Sequence, residues 1–133
     1  MEKTFEIEFS KGGKFIAHLL MKEAPKTCEA FLGKMPVEVK FRQARFAGEE
    51  FYFQIDMNAE LENQIAPKWG DIAFNADPKW KAVCIYYGNT IRQGGPPFNL
   101  FARIVPGDLE NLKRVGERVW LQGEETAQVK LKP

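Results

Sequence analysis

The chain has 133 residues, with 19 lysines and arginines against 18 aspartates and glutamates, for a formal net charge of +1. That length suits one hydrophobic core and predicts a single domain over residues 1–133. A charge this close to balance supplies no broad field for nucleic acid or anionic lipid, so neither partner is expected. The amino-terminal MEKTFEIEFSKGG lacks a secretory pattern and no apolar run approaches membrane-span length, so a cytoplasmic, membrane-free protein is expected. Cys28 and Cys84 stand alone, without a CxxC, and read as buried free thiols.

Thr4, Glu6 and Glu8 alternate with Phe5, Ile7 and Phe9, the period of a half-buried strand. Ser10-Lys11-Gly12-Gly13 supplies a hairpin turn, and Lys14 to Met21 returns as a strand with apolar residues on both faces. Pro25 suits the first turn of a helix, and Cys28, Phe31, Leu32 and Met35 recur at helical spacing. The spacing predicts a helix from Pro25 to Met35, stopped by Pro36. Val37, Val39 and Phe41 begin an alternation that runs to Arg45. After a turn at Ala47-Gly48-Glu49, Phe51, Phe53 and Ile55 alternate with Tyr52 and Gln54.

Asp56 to Trp69 has no period and reads as a long loop. Asp71 to Phe74 and Ala82 to Tyr87 are predicted strands around the turn-rich Asn75-Ala76-Asp77-Pro78. Gly94-Gly95-Pro96-Pro97 excludes a regular element, and Leu100 to Val105 reads as a strand. Asp108 is a candidate N-cap for a short helix through Leu109 and Leu112. Arg118 to Gln122 and Ala127 to Lys132 are expected to close the chain as two strands. The fold class is mostly β, with about eight antiparallel strands closed into a barrel and two helices.

Glu23-Ala24-Pro25-Lys26-Thr27, followed by Glu29-Ala30-Phe31, resembles the strand-to-helix junction of the cyclophilins. Asn99 to Ile104, with Gly107 after it, is similar to that family's late strand and turn. With Ala44-Arg45-Phe46, Gly70-Asp71-Ile72-Ala73 and Tyr87-Gly88, the chain looks closest to the small uncharacterised cyclophilin-like proteins of prokaryotes. The resemblance implies a cyclophilin-like barrel capped by two helices.

It also implies a site. Cyclophilins rotate the bond before proline, where an arginine can stabilise the twisted amide. Arg45 matches that arginine if the protein is an isomerase; Phe51 would face the proline and Gln54 the peptide. The glycine pair that follows the family's glutamine is replaced by Ile55-Asp56-Met57. The family's late tryptophan and histidine have no match where Gly94-Gly95-Pro96-Pro97-Phe98 stands.

The leading expectation is therefore a binding module for a small molecule or short peptide, proline-containing peptides included. Its cleft on the barrel side would draw on Arg45, Phe51, Tyr52, Gln54, Tyr87, Arg92 and Phe98. Arg92 is expected to approach Arg45, and two guanidinium groups among aromatic rings suit a carboxylate with an apolar body. A prolyl isomerase with a degenerate pocket, and a non-catalytic interaction protein or homo-oligomer using exposed aromatic surface, stay open as alternatives.

Other chemistry finds little footing. His18 is the sole histidine, mid-strand in an apolar run, so it reads as a core residue and no metal or cofactor is expected. Ser10 is the only serine and falls in a turn, which leaves no serine triad. Trp69, Trp80 and Trp120 read as core or barrel-rim residues.

Overall fold

The computed structural model describes residues 3–132. Its strands are β1 (Thr4–Phe9), β2 (Lys14–Leu19), β3 (Val37–Gln43), β4 (Gly48–Gln54), β5 (Asp71–Asn75), β6 (Ala82–Thr90), β7 (Phe98–Ile104) and β8 (Glu125–Lys132). They close into an antiparallel barrel in the order β1-β2-β7-β5-β6-β4-β3-β8. Two helices, α1 (Pro25–Leu32) and α2 (Leu109–Gln122), complete the fold. Among the described residues no helix is long and apolar enough to cross a membrane.

Period-two alternation sends Phe5, Ile7 and Phe9 into the barrel. There the ring of Phe41 lies 4.8 Å from Phe9, 4.7 Å from Phe51 and 5.0 Å from Phe53, centroid to centroid. Such pairs add about 0.5–1.5 kcal/mol each beyond the burial of the rings. From α1, Phe31 packs 5.1 Å from Phe5 and 5.2 Å from Phe101. From α2, Leu112, Val115 and Val119 supply a buried stripe at helical spacing. Arg118 on α2 donates to the Gly12 carbonyl in the β1–β2 turn, at 2.8 Å. Helix α1 follows the far end of β2, so the two helices close opposite ends of the barrel.

Three elements differ from their sequence reading. Arg118 to Gln122 is the last part of α2 rather than a strand. The Val and Trp in that stretch favour strands in general, but Val119 extends the buried stripe of Leu112, Val115 and Gly116, and that packing decides the matter. Asp108 does not cap α2 through its side chain. Its Oδ2 instead accepts from the backbone N–H of Ile16 at 2.8 Å, tying the helix start to β2. Finally, α1 ends at Leu32, three residues before the expected Met35.

A second apolar layer lies outside the barrel. Ala73, Ala82, Cys84, Tyr86 and Leu100 cluster on the outer face of β5, β6 and β7, with Tyr52 and Phe98 against them. The loop from Ile55 to Gly70 covers part of this face. Strand β2 pairs with β7 only from Ala102 to Ile104. Where β2 leaves, the loop takes over: Leu100 donates to the Asn63 carbonyl at 3.0 Å, and Asn63 Nδ2 donates back to the Leu100 carbonyl at 2.8 Å. The loop is held to α1 through Asn99, whose Nδ2 donates to Thr27 Oγ1 and the Glu60 carbonyl, and through a Lys26–Glu60 ion pair.

Candidate ligand-binding cleft

The uncovered part of this outer face is a cleft of about 530 Å³. Glu50 and Tyr52 come from β4, Ala82 and Cys84 from β6, Asn75 from β5 and Phe98 from β7. One wall is the 3-10 turn at Arg45–Ala47; another is Ile91–Gln93, directly after β6. Trp80 stands at the rim, its ring 6.3 Å from that of Tyr52 in an edge-to-face arrangement. Phe46 and Ile91 are 79% and 73% exposed, so large apolar side chains at this mouth face water.

Two glycines allow the walls to come this close. Gly48 has φ +98°, and a Cβ there would sit 2.8 Å from the Asn89 carbonyl oxygen of β6. Gly94 lies so near the covering loop that a Cβ would come within 2.8 Å of the Ala66 nitrogen and the Gln64 oxygen. The Gly95 N–H donates to Gln64 at 3.0 Å and fixes that contact.

The polar content of the cleft is small and concentrated. The guanidinium of Arg92 lies 3.7 Å over the Phe98 ring, a cation–π contact. Its Nη2 reaches the Gly95 carbonyl only at 3.4 Å, and its buried Nε has no hydrogen-bond partner among the described residues. Glu50 is 3% exposed, and its Oε1 likewise lacks a partner. The hydroxyl of Tyr86, directly opposite on β6, is buried and unpartnered too.

Burial pushes the Glu50 carboxyl up to about 7, against the pull of Cys84, Arg92 and Tyr86. Burial, with the charge of Glu50 next, raises the Cys84 thiol well above its ordinary range and moves the Tyr86 hydroxyl in the same direction. Arg92 acts on Glu50 through space; the two are not in ion-pair contact. The cleft thus holds one guanidinium and one carboxyl that do not neutralise each other.

A family model described as "Protein of unknown function (DUF3830)" matches residues 8–131. The chain belongs to that family. None of the curated proteins compared matches it in sequence. Among solved structures, it is similar to McbB in complex with tryptophan, with a TM-score of 0.80 at 18% identity, over 95% of this chain and 44% of that one. The chain therefore spans under half of the McbB chain. The hypothetical protein AF2241 from Archaeoglobus fulgidus gives a TM-score of 0.68 at 22% identity, over 97% of this chain and 94% of that one. The Mimivirus cyclophilin gives 0.56 at 10% identity, over 97% and 87%. At these identities the likeness is one of fold, and the fold is cyclophilin-like.

The seven residues singled out from the sequence divide by location. Tyr52, Arg92 and Phe98 line the cleft. Phe51 and Tyr87 are buried inside the barrel, because alternation along β4 and β6 turns them from the outer face. The Tyr87 hydroxyl donates to Gln43 Oε1 at 2.8 Å, beneath α2. Gln54 lies beside a shallower depression, its Nε2 donating to the Trp80 carbonyl at 3.0 Å.

Arg45 does not meet Arg92. Its guanidinium stacks 3.8 Å over Trp120 on α2, because the 3-10 turn sends Arg45 and Phe46 to different sides. Sequence reasoning passed over Glu50, Cys84 and Tyr86. A signal for Glu50 was present: it shares the parity of Tyr52 and Gln54 on β4.

Proposed function

We propose that this protein is a binding module whose cleft takes a small organic carboxylate with a flat apolar body. The observation that carries the reading is Arg92. Its guanidinium lies on Phe98 in a mostly apolar cleft with a buried Nε unpartnered. Guanidinium binds carboxylate through paired, charge-assisted hydrogen bonds, which strengthen where water is excluded. Tyr52, Trp80 and Phe98 offer faces for a planar ring, and the exposed Phe46 and Ile91 would lose water as it enters. The McbB structure contains tryptophan, itself a planar ring carrying a carboxylate, which supports the same ligand class on this fold.

Calorimetric titration with 2-naphthylacetate and with its uncharged amide tests the reading. The acid should bind more tightly than the amide by at least about tenfold, a difference lost in Arg92→Met. Equal binding of acid and amide, or undiminished binding in Arg92→Met, would remove the basis for a carboxylate site.

The prolyl isomerase alternative draws less support. Arg45, Phe51 and Gln54 would need to converge on one peptide, whereas they lie on Trp120, in the core and on the Trp80 carbonyl. Exchange NMR on an Ala-Pro peptide checks this: no acceleration of cis–trans exchange is expected, and acceleration lost in Arg45→Ala would reinstate the isomerase.

A further inference from the structure

We infer that ligand capture in the cleft is proton-linked: a carboxylate bound by Arg92 is held with Glu50 neutral, so that binding draws a proton onto Glu50. This rests on the carboxylate reading above. Its starting point is geometric. Glu50 is nearly inaccessible, opens onto the same cleft as Arg92, and has an oxygen without a partner.

The groups facing Glu50 from each packed element are few. Strand β6 presents the Cys84 thiol and the Tyr86 hydroxyl, and the segment after β6 presents Arg92. Tyr52 on β4, Asn75 on β5 and Phe98 on β7 line the same cleft, and the 3-10 turn brings only Ala44, Phe46 and Ala47. Among the described residues, Arg92 is therefore the one cation that acts on an ionised Glu50.

A ligand carboxylate uses that cation. Once it pairs with Arg92, an ionised Glu50, itself 3% exposed, faces a second negative charge in a mostly apolar cleft. Two carboxylates on one guanidinium leave a net negative charge in a mostly apolar cleft, and protonation of one of them removes it. The ligand carboxylate keeps its charge because it holds the bidentate contact. Glu50, which has none, is the one to be protonated, and its new O–H can donate to the ligand.

The sign of the pH dependence follows. Free Glu50 titrates at about 7, so below that pH it is neutral before and after binding and affinity is flat. Above it, each bound ligand requires a proton from solution, and affinity falls about tenfold per pH unit.

The probe is 2-naphthylacetate, which carries no amine and stays ionised from about pH 6 to about pH 9. Titrations across that range should show affinity level at first and about 100-fold weaker at the top. Calorimetry near pH 8 in buffers of different ionisation enthalpy should count close to one proton taken up. Glu50→Gln keeps the shape without the charge. It should bind equally at both ends of the range, and at the alkaline end about 100-fold more tightly than the native protein.

Affinity that rises with pH, or a Glu50→Gln variant that binds no better than the native protein at the alkaline end, would overturn the proposal. A level profile in the native protein would overturn it while leaving the carboxylate site intact. No binding at any pH would remove both.

Discussion

Replacing Glu50 by glutamine should make the empty protein more stable, by an amount that grows as pH rises above about 4.5. The carboxyl is moved from an ordinary 4.5 to about 7 by burial. In an unfolded chain it ionises at its ordinary value, so between these limits the native state holds a proton that the unfolded state has released. Stability therefore falls as pH rises through this window, and above it the ionised side chain costs the fold about 3 kcal/mol. Glutamine occupies nearly the same volume and never ionises.

Urea denaturation of both proteins at about pH 4 and about pH 8 isolates the effect, since other titrating groups cancel in the difference. At the acid end the two should agree within about 0.5 kcal/mol. At the alkaline end the variant should be more stable by about 3 kcal/mol, roughly 10 °C in Tm for a chain of this size. A difference unchanged between the two pH values would refute the reasoning. So would a variant less stable at alkaline pH, because either result means that Glu50 is ionised with a partner that compensates it.

Three further outcomes test the fold around the site. Gly116→Ala would place a Cβ 2.2 Å from the Tyr87 ring; a loss of about 1–3 kcal/mol in chemical denaturation is expected from overpacking between α2 and β6. Arg118→Met would strip the bidentate partner, at 2.6 and 2.7 Å, from the fully buried Glu125 carboxylate, and a loss of about 3–5 kcal/mol should appear in the same assay. Both thiols should resist alkylation in the native state near pH 8 and react fully in denaturant, because burial pushes Cys28 up to about 12 and Cys84 well above its usual range; rapid native labelling of either would contradict that burial.

The barrel was legible because its signal is local. Phe5, Ile7 and Phe9, or Phe51 and Phe53, declare a buried face by alternation alone, and the β1–β2, β3–β4 and β5–β6 pairs follow from short connections. Helix α2 was half legible: Leu109 and Leu112 showed its start, while Val119 and Trp120 carry strand preference and were read that way. That misreading hid a second fact. Trp120 on a strand has no reason to meet Arg45, whereas Trp120 on the exposed side of α2 takes its guanidinium at 3.8 Å.

The cleft was legible by parity and obscure by cover. Tyr52 pointed outward with Glu50 beside it in register. Nothing in the period of β4 told that the Asn63–Leu100 hydrogen bonds and the Gly94 contact would bring two irregular segments against that face. Arg92 was recognised from its neighbours in sequence, yet its partner Phe98 was fixed by a turn through two glycines and two prolines, a path that periodicity does not specify.

Glu50 also bears on why the outer face should be read as a site rather than as spare core. The inner face of β4 closes the barrel through Phe51 and Phe53 and asks nothing of Glu50. With a leucine or glutamine there, the apolar layer of Ala82, Cys84 and Tyr86 could remain without a buried charge. Domains hold only about 5–15 kcal/mol in reserve, so a buried carboxyl costing about 3 kcal/mol at neutral pH is a large expense for a purely structural position. Arg92 could have relieved it by forming an ion pair; instead its guanidinium lies on Phe98 with its Nε free. Two opposite charges kept apart in a cleft, each short of a hydrogen bond, are what the proposed carboxylate ligand would complete. Perturbed carboxyls in clefts concentrate at functional sites for this reason, and the pH profiles of stability and of binding should therefore turn at the same carboxyl.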